Sequence, residues 1–103
     1  MNNQISDLDG NWRVTCLGIA RPVNISGNCK RINNGTGHNI VLGIKWGYFS
    51  IKEEEDYLVL DYDDPRNNPL VRRIRDRMYR EGEGWRGLFY LNERRFFDFR
   101  LDR

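Results

Sequence analysis

The segment RRFFDFRLDR at residues 94–103 alternates strictly, with Phe97, Phe99 and Leu101 on one side and Phe96, Asp98, Arg100 and Asp102 on the other. A period of two is the signature of a strand with one dry face and one wet face. The same alternation recurs in short runs along the chain. In NWRVTCLG, Trp12, Val14 and Cys16 share a face; in GYFSIK, Phe49 and Ile51 do; in DYLVLDY, Leu58, Leu60 and Tyr62 do. In HNIVLGIKW the even positions Ile40, Leu42, Ile44 and Trp46 fall together. Clusters of Gly, Asn and Asp separate the runs. Asn33-Asn34-Gly35 supplies residues that tolerate positive φ in a hairpin, and Asn92-Glu93-Arg94 links the last two strands closely. The pattern predicts a mainly β protein: a small antiparallel barrel or strongly curved sheet of six to eight strands.

One segment breaks the pattern. Residues 67–87, NNPLVRRIRDRMYREGEGWRG, carry Arg72, Arg73, Arg75, Arg77, Arg80 and Arg86 around a few apolar side chains. Asn68 before Pro69 reads as a helix N-cap and first-turn proline, and Gly82 as a stop. Between them Leu70, Val71, Ile74 and Met78 recur at helical spacing. One helix over 69–81 is therefore expected, with Asp76 pairing Arg72 or Arg80 one turn away. Arg75 should be partly buried at the flank of the stripe, with Arg72, Arg73 and Arg80 exposed.

A chain of 103 residues fits a single domain, 1–103, of which residues 1–8 read as a tail. Its thirteen aromatic residues and near absence of Ala favour sheet. The net charge of +2 divides into +4 over residues 1–52, −7 over 53–65 and +5 over 66–103. So small a net charge lacks the global basic field of a non-specific nucleic-acid binder, and the acidic stretch would repel a phosphate backbone. Nucleic acid is thus not the expected partner. Tyr48, Tyr57 or Phe96 could nevertheless stack bases beside the arginines. No apolar run is long enough to cross a bilayer and the N-terminus has no leader pattern, so a cytoplasmic protein without membrane insertion is expected.

Catalytic and metal chemistry find little to build on. His38 is the only histidine and stands at a turn-like position after Gly35-Thr36-Gly37. Cys16 and Cys29 have neither CxxC spacing nor a nearby His and read as free thiols. The acidic run 53–56 reads as a solvated loop rather than a cation site. The expectation is a protein that is not an enzyme and holds no metal or cofactor.

Gly10-Asn11-Trp12 opens the first strand, and Ile74-Arg75-Asp76 with Arg80 precedes Gly84-Trp85-Arg86-Gly87-Leu88-Phe89-Tyr90 and the aromatic last strand. Trp46-Gly47-Tyr48-Phe49 and Leu58 to Tyr62 lie between. In these short motifs the chain resembles the lipocalin-like (calycin) barrels. Among these it resembles a group of largely uncharacterised bacterial and plant proteins with an I-R-D-E-x-R block. The resemblance implies a barrel whose first-strand tryptophan, Trp12, closes the floor, with Gly10, Arg75 and Asp76 as structural motif residues. It implies binding of a small apolar ligand in an interior lined by Trp12, Trp46, Phe49, Leu60, Tyr62, Phe89, Phe97 and Phe99. Against a pocket stands the bulk of these same side chains, which is enough to fill so small a barrel. The other function these residues allow is a macromolecular interaction module, for protein or nucleic acid, using the arginine-rich segment 69–81. Residue patterns leave the oligomeric state open.

Overall fold

A computed structural model describes residues 4–18, 21 and 27–103. Among these, eight strands form a closed antiparallel barrel: β1 (Gly10–Cys16), β2 (Asn28–Asn33), β3 (Thr36–Val41), β4 (Ile44–Glu53), β5 (Leu58–Asp61), β6 (Ile74–Glu81), β7 (Gly84–Leu91) and β8 (Arg94–Asp102). Each strand pairs with its sequence neighbour. Closure comes from β1 against β8, in the register Arg13↔Asp102 to Cys16↔Phe99, so neither strand is left as an edge.

The alternation behaves as its period requires. Trp12, Val14, Cys16, Phe49, Ile51, Leu58, Leu60, Tyr62, Phe99 and Leu101 are all buried, whereas Phe96 is 53% exposed. Asn34 and Gly35 take φ of 53° and 78°, and Asn92 and Glu93 take 52° and 66°. Both pairs are the doubly positive turns whose twist matches the flanking strands.

The helix expected over 69–81 is not there. Among the described residues helical structure is confined to 3-10 turns, and this segment splits into one such turn, Val71–Arg73, followed by β6. Asn68 does cap it, its Oδ1 accepting from the Val71 amide at 2.9 Å, but the cap starts a single turn. Ile74 and Met78 fit a strand as well as a helix, because residues four apart share a face in both. The intermediate inward position is Asp76, which is 1% exposed. Gly82, read as a helix stop, instead stands in the β6–β7 turn with φ 61°. Asp76 and Arg75 leave opposite faces of β6. Asp76 therefore pairs with neither Arg72 nor Arg80, and Arg75 reaches Asp61 on β5 at 3.1 Å. Arg75 is partly buried and Arg72, Arg73 and Arg80 are exposed, as expected, though from a strand and its preceding turn.

A second correction concerns HNIVLGIKW. Leu42 and Gly43, with φ of 52° and 78°, form the turn between β3 and β4, so the run is a hairpin and its even positions do not make one inward face. The two-residue turn pairs Val41 with Ile44 and Asn39 with Trp46, so the inward parity switches across it and Ile40 falls on the opposite face from Ile44 and Trp46. Leu42 and Ile44 are 77% and 67% exposed.

The two ends of the barrel differ. At one end lie the β2–β3, β4–β5 and β6–β7 turns and the start of β1. Of residues 1–8, expected as a tail, Ile5–Leu8 form a 3-10 turn here, with Leu8 fully buried. Trp12 Nε1 donates to the Leu8 carbonyl at 2.7 Å, and the Arg103 guanidinium lies 4.1 Å from the Trp12 ring centroid. This floor is closed. Leu8→Ala should therefore cost about 2–5 kcal/mol of unfolding free energy in urea titration, the range for emptying a fully packed leucine site. A cost under about 0.5 kcal/mol would mean that the turn is not part of the core.

Candidate functional site

The opposite end carries the β3–β4 turn, the β5–β6 connection and the β7–β8 turn, and there β1 ends and β2 begins. Each of the five large hydrophobic side chains exposed among the described residues lies on segments at this end: Leu42, Ile44, Trp46, Leu70 and Phe96. A cavity of about 60 Å³ opens below them, bounded by residues from both halves of the chain. Val14, Cys16, Ile74, Phe89, Phe97 and Phe99 form its apolar wall. Phe89 and Phe97 stack at 4.6 Å. By volume it holds a few waters or the head of a small molecule, far less than the several hundred Å³ of a drug-sized pocket.

Its floor is polar, and this is the feature the sequence hid. Lys30 on β2, Asn39 on β3, Tyr62 just after β5 and Asp76 on β6 all line the cavity and are all buried. Lys30 Nζ donates to Asn39 Oδ1 at 2.6 Å and to Tyr62 Oη at 2.8 Å, and lies 3.5 Å from Asp76 Oδ2. The Tyr62 hydroxyl donates to Asp76 Oδ2 at 2.9 Å. Asn39 Nδ2 donates to the Gly47 carbonyl and to Tyr62 Oη, each at 3.2 Å. The rings of Phe49, Tyr62 and Phe99 surround the ammonium at 5.5, 5.5 and 5.3 Å from their centroids. A buried charge is tolerable only with such pairing.

Burial dominates the titration of every member. It lowers the Lys30 pKa, with Asp76 acting in the opposite sense, and raises that of Asp76 against the pull of Lys30 and of the Tyr62 hydrogen bond. Tyr62 is pushed well above the ordinary phenol value by burial and by the neighbouring Asp76 carboxylate. Burial also raises the Cys16 thiol, partly offset by Lys30. Cys16 and Cys29 form no disulfide.

Of the eight residues expected to line the interior, Trp46, Tyr62, Phe89, Phe97 and Phe99 border this cavity. Trp12, Phe49 and Leu60 are buried in the packed remainder of the barrel and do not. Trp46 stands at the mouth, 36% exposed, rather than inside. Lys30, Asn39 and Asn28 were missed. Lys30 and Ile32 do alternate with Cys29 and Arg31, but a lysine at an inward position reads as evidence against burial.

The arginine-rich segment contributes to a larger, shallower depression of about 410 Å³ on the outside of the barrel, bordered by Arg72, Arg73, Arg75, Arg77 and Tyr90. Acids already engage two of these guanidinium groups, Arg72 with Asp63 at 2.7 Å and Arg75 with Asp61 at 3.1 Å. Arg77 packs between the rings of Tyr57 and Tyr90. Part of the acidic stretch 53–65 is thus tied up on this surface. His38 lies on β3 beside a register shift, in ring contact with Tyr48. Burial lowers its pKa, helped by Lys45, Arg31 and Arg66. No cluster of metal-ligating side chains occurs among the described residues. The chain matches no protein-family model, no curated protein and no solved structure.

Proposed function

We propose that this closed barrel is a non-enzymatic binding protein of the lipocalin-like type, taking a small, mainly apolar ligand at its open end. The observation that carries this reading is the coincidence of two features at one end. The cavity opens where the exposed large apolar side chains gather, while the other end is plugged by Leu8 and Trp12. Exposed apolar surface that is concentrated at a concavity is where a ligand gains most from leaving water. Packing limits the ligand's size: with about 60 Å³ inside, only a head group and a few carbons enter, and a tail rests against Trp46 and its neighbours at the mouth. Trp12 at the floor under Leu8 is consistent with the lipocalin-like reading. The outer arginine depression offers weaker support for an interaction module, because acids on the same surface answer two of its four guanidinium groups.

Trp46 stands at the mouth, whereas Trp12 and Trp85 are 1% and 0% exposed, so a ligand there should change Trp46 emission above all. Titrating the protein with six-carbon apolar compounds should give a saturable blue shift that disappears in Trp46→Phe, and native mass spectrometry should show a 1:1 complex. If no such compound shifts emission or melting temperature and none appears in the mass spectrum, the binding reading is rejected.

A further inference from the structure

Two oxygen atoms in the lining of the cavity are left without a partner. Asn28 and Asp76 both line it, and Asn28 Oδ1 and Asp76 Oδ1 are buried without a hydrogen-bond partner. An amide or carboxylate oxygen only accepts. The donors around them are already committed. The three hydrogens of Lys30 Nζ face Asn39 Oδ1, Tyr62 Oη and Asp76 Oδ2; the Tyr62 hydroxyl goes to Asp76 Oδ2; Asn39 Nδ2 goes to the Gly47 carbonyl and Tyr62. The side-chain donors of Lys30, Tyr62 and Asn39 thus all face acceptors of the protein itself. What remains unsatisfied is acceptor capacity inside an otherwise apolar chamber, Asp76 Oδ1 at its floor and Asn28 Oδ1 nearer its mouth.

We infer that, granted the binding function proposed above, the ligand carries a hydrogen-bond donor at its buried end: a short primary alcohol or alkylamine, and not the carboxylate of the same chain length. A hydroxyl or amine reaching the floor satisfies an oxygen that is otherwise desolvated without a partner, which is the condition under which a polar group discriminates most strongly. A carboxylate brings only lone pairs, and a charge of the same sign as Asp76. Its natural counter-ion, Lys30, also lines the cavity but is already engaged by the Asn39, Tyr62 and Asp76 oxygens. The acid must then either enter protonated or leave its charge at the mouth, and both weaken binding.

The experiment compares 1-hexanol, hexylamine and hexanoate by isothermal titration calorimetry at neutral pH, on the wild type and on Asn28→Ala. Asp76 variants risk unfolding, whereas Asn28 sits at the start of β2 near the mouth and is only partly buried. In the wild type, hexanol or hexylamine should bind at least tenfold more tightly than hexanoate. In Asn28→Ala that ratio should fall at least threefold while the melting temperature stays within about a degree. Hexanoate binding as tightly as the alcohol and the amine would overturn the donor assignment while leaving the binding function standing. An unchanged ratio in Asn28→Ala would also overturn it, because the orphan oxygen would then not be reading the head group. If none of the three compounds binds, the binding function itself fails, and the donor assignment with it. Preference for hexylamine over hexanol would identify the charge of Asp76 as the selecting feature; equal affinity would identify hydrogen bonding alone. Either result supports the assignment.

Discussion

Asp76→Ala should lower the unfolding free energy by about 3–5 kcal/mol, the cost of leaving one half of a buried ion pair without its partner. For a domain with a total stability of about 5–15 kcal/mol this is a large share. Lys30 is 4% exposed and Asp76 1%, so only the small cavity beside them, and not bulk solvent, could supply a replacement for the lost carboxylate. The ammonium keeps Asn39 Oδ1 and Tyr62 Oη, but both are neutral, and the Tyr62 hydroxyl loses its acceptor. Lys30 must then either stay charged in an apolar setting or give up its proton. Chemical denaturation monitored by tryptophan emission measures the loss. The double variant Lys30→Met with Asp76→Leu supplies the decisive comparison. Removing both charges together should recover at least half of it, because well-packed apolar side chains often replace a buried pair without net cost. A single variant within about 1 kcal/mol of wild type would show that water entering by the cavity compensates for the lost partner.

Gly87→Ala should cost nearly as much, toward the upper end of the about 1–3 kcal/mol typical of overpacking. Gly87 on β7 stands directly across from Phe99 on β8, and the ring lies flat over the glycine. A Cβ at residue 87 would sit 2.1 Å from Phe99 Cζ and 2.4 and 2.6 Å from its Cε atoms, well inside van der Waals contact. Phe99 could shift only into the small cavity whose wall it forms. It is 2% exposed, and its face carries the Lys30 ammonium, so rotating the ring also disturbs the polar floor of the cavity. Thermal unfolding of Gly87→Ala and of Gly87→Ala with Phe99→Leu tests the cause. The smaller leucine should restore part of the loss, whereas a double variant less stable than the single one would place the strain elsewhere.

The arginine-rich segment marks where local pattern stops being informative. Ile74 and Met78 satisfy a helix and a strand equally, and Asn68-Pro69 supplies a genuine cap, so the tie falls to residue 76. An aspartate at an inward strand position argues for the helix, where it could point to solvent. It lies inside because Lys30, forty-six positions earlier, and Tyr62, fourteen earlier, meet it there. Similarly, Lys30 reads as a surface residue until its partners are known. Ile40 reads as sharing a face with Ile44 and Trp46, but the turn at Leu42 and Gly43 switches the inward parity, so Asn39, paired with Trp46, lies inside instead. By contrast, Arg75 is half-buried in either conformation, since it flanks Ile74 in both.

What the sequence by itself determined is local and periodic. The all-β class, the inward sets Trp12-Val14-Cys16, Leu58-Leu60-Tyr62 and Phe97-Phe99-Leu101, and the Asn34-Gly35 and Asn92-Glu93 turns follow from side-chain alternation and from which residues accept positive φ. Only the tertiary structure decided the closure of β1 on β8, the plugging of one end by Leu8 and the Lys30–Asp76–Tyr62–Asn39 floor at the other. Each of these joins residues far apart in the chain. For the charged pair, burial is unfavourable for either residue taken alone and becomes tolerable only when the barrel brings both to the same place.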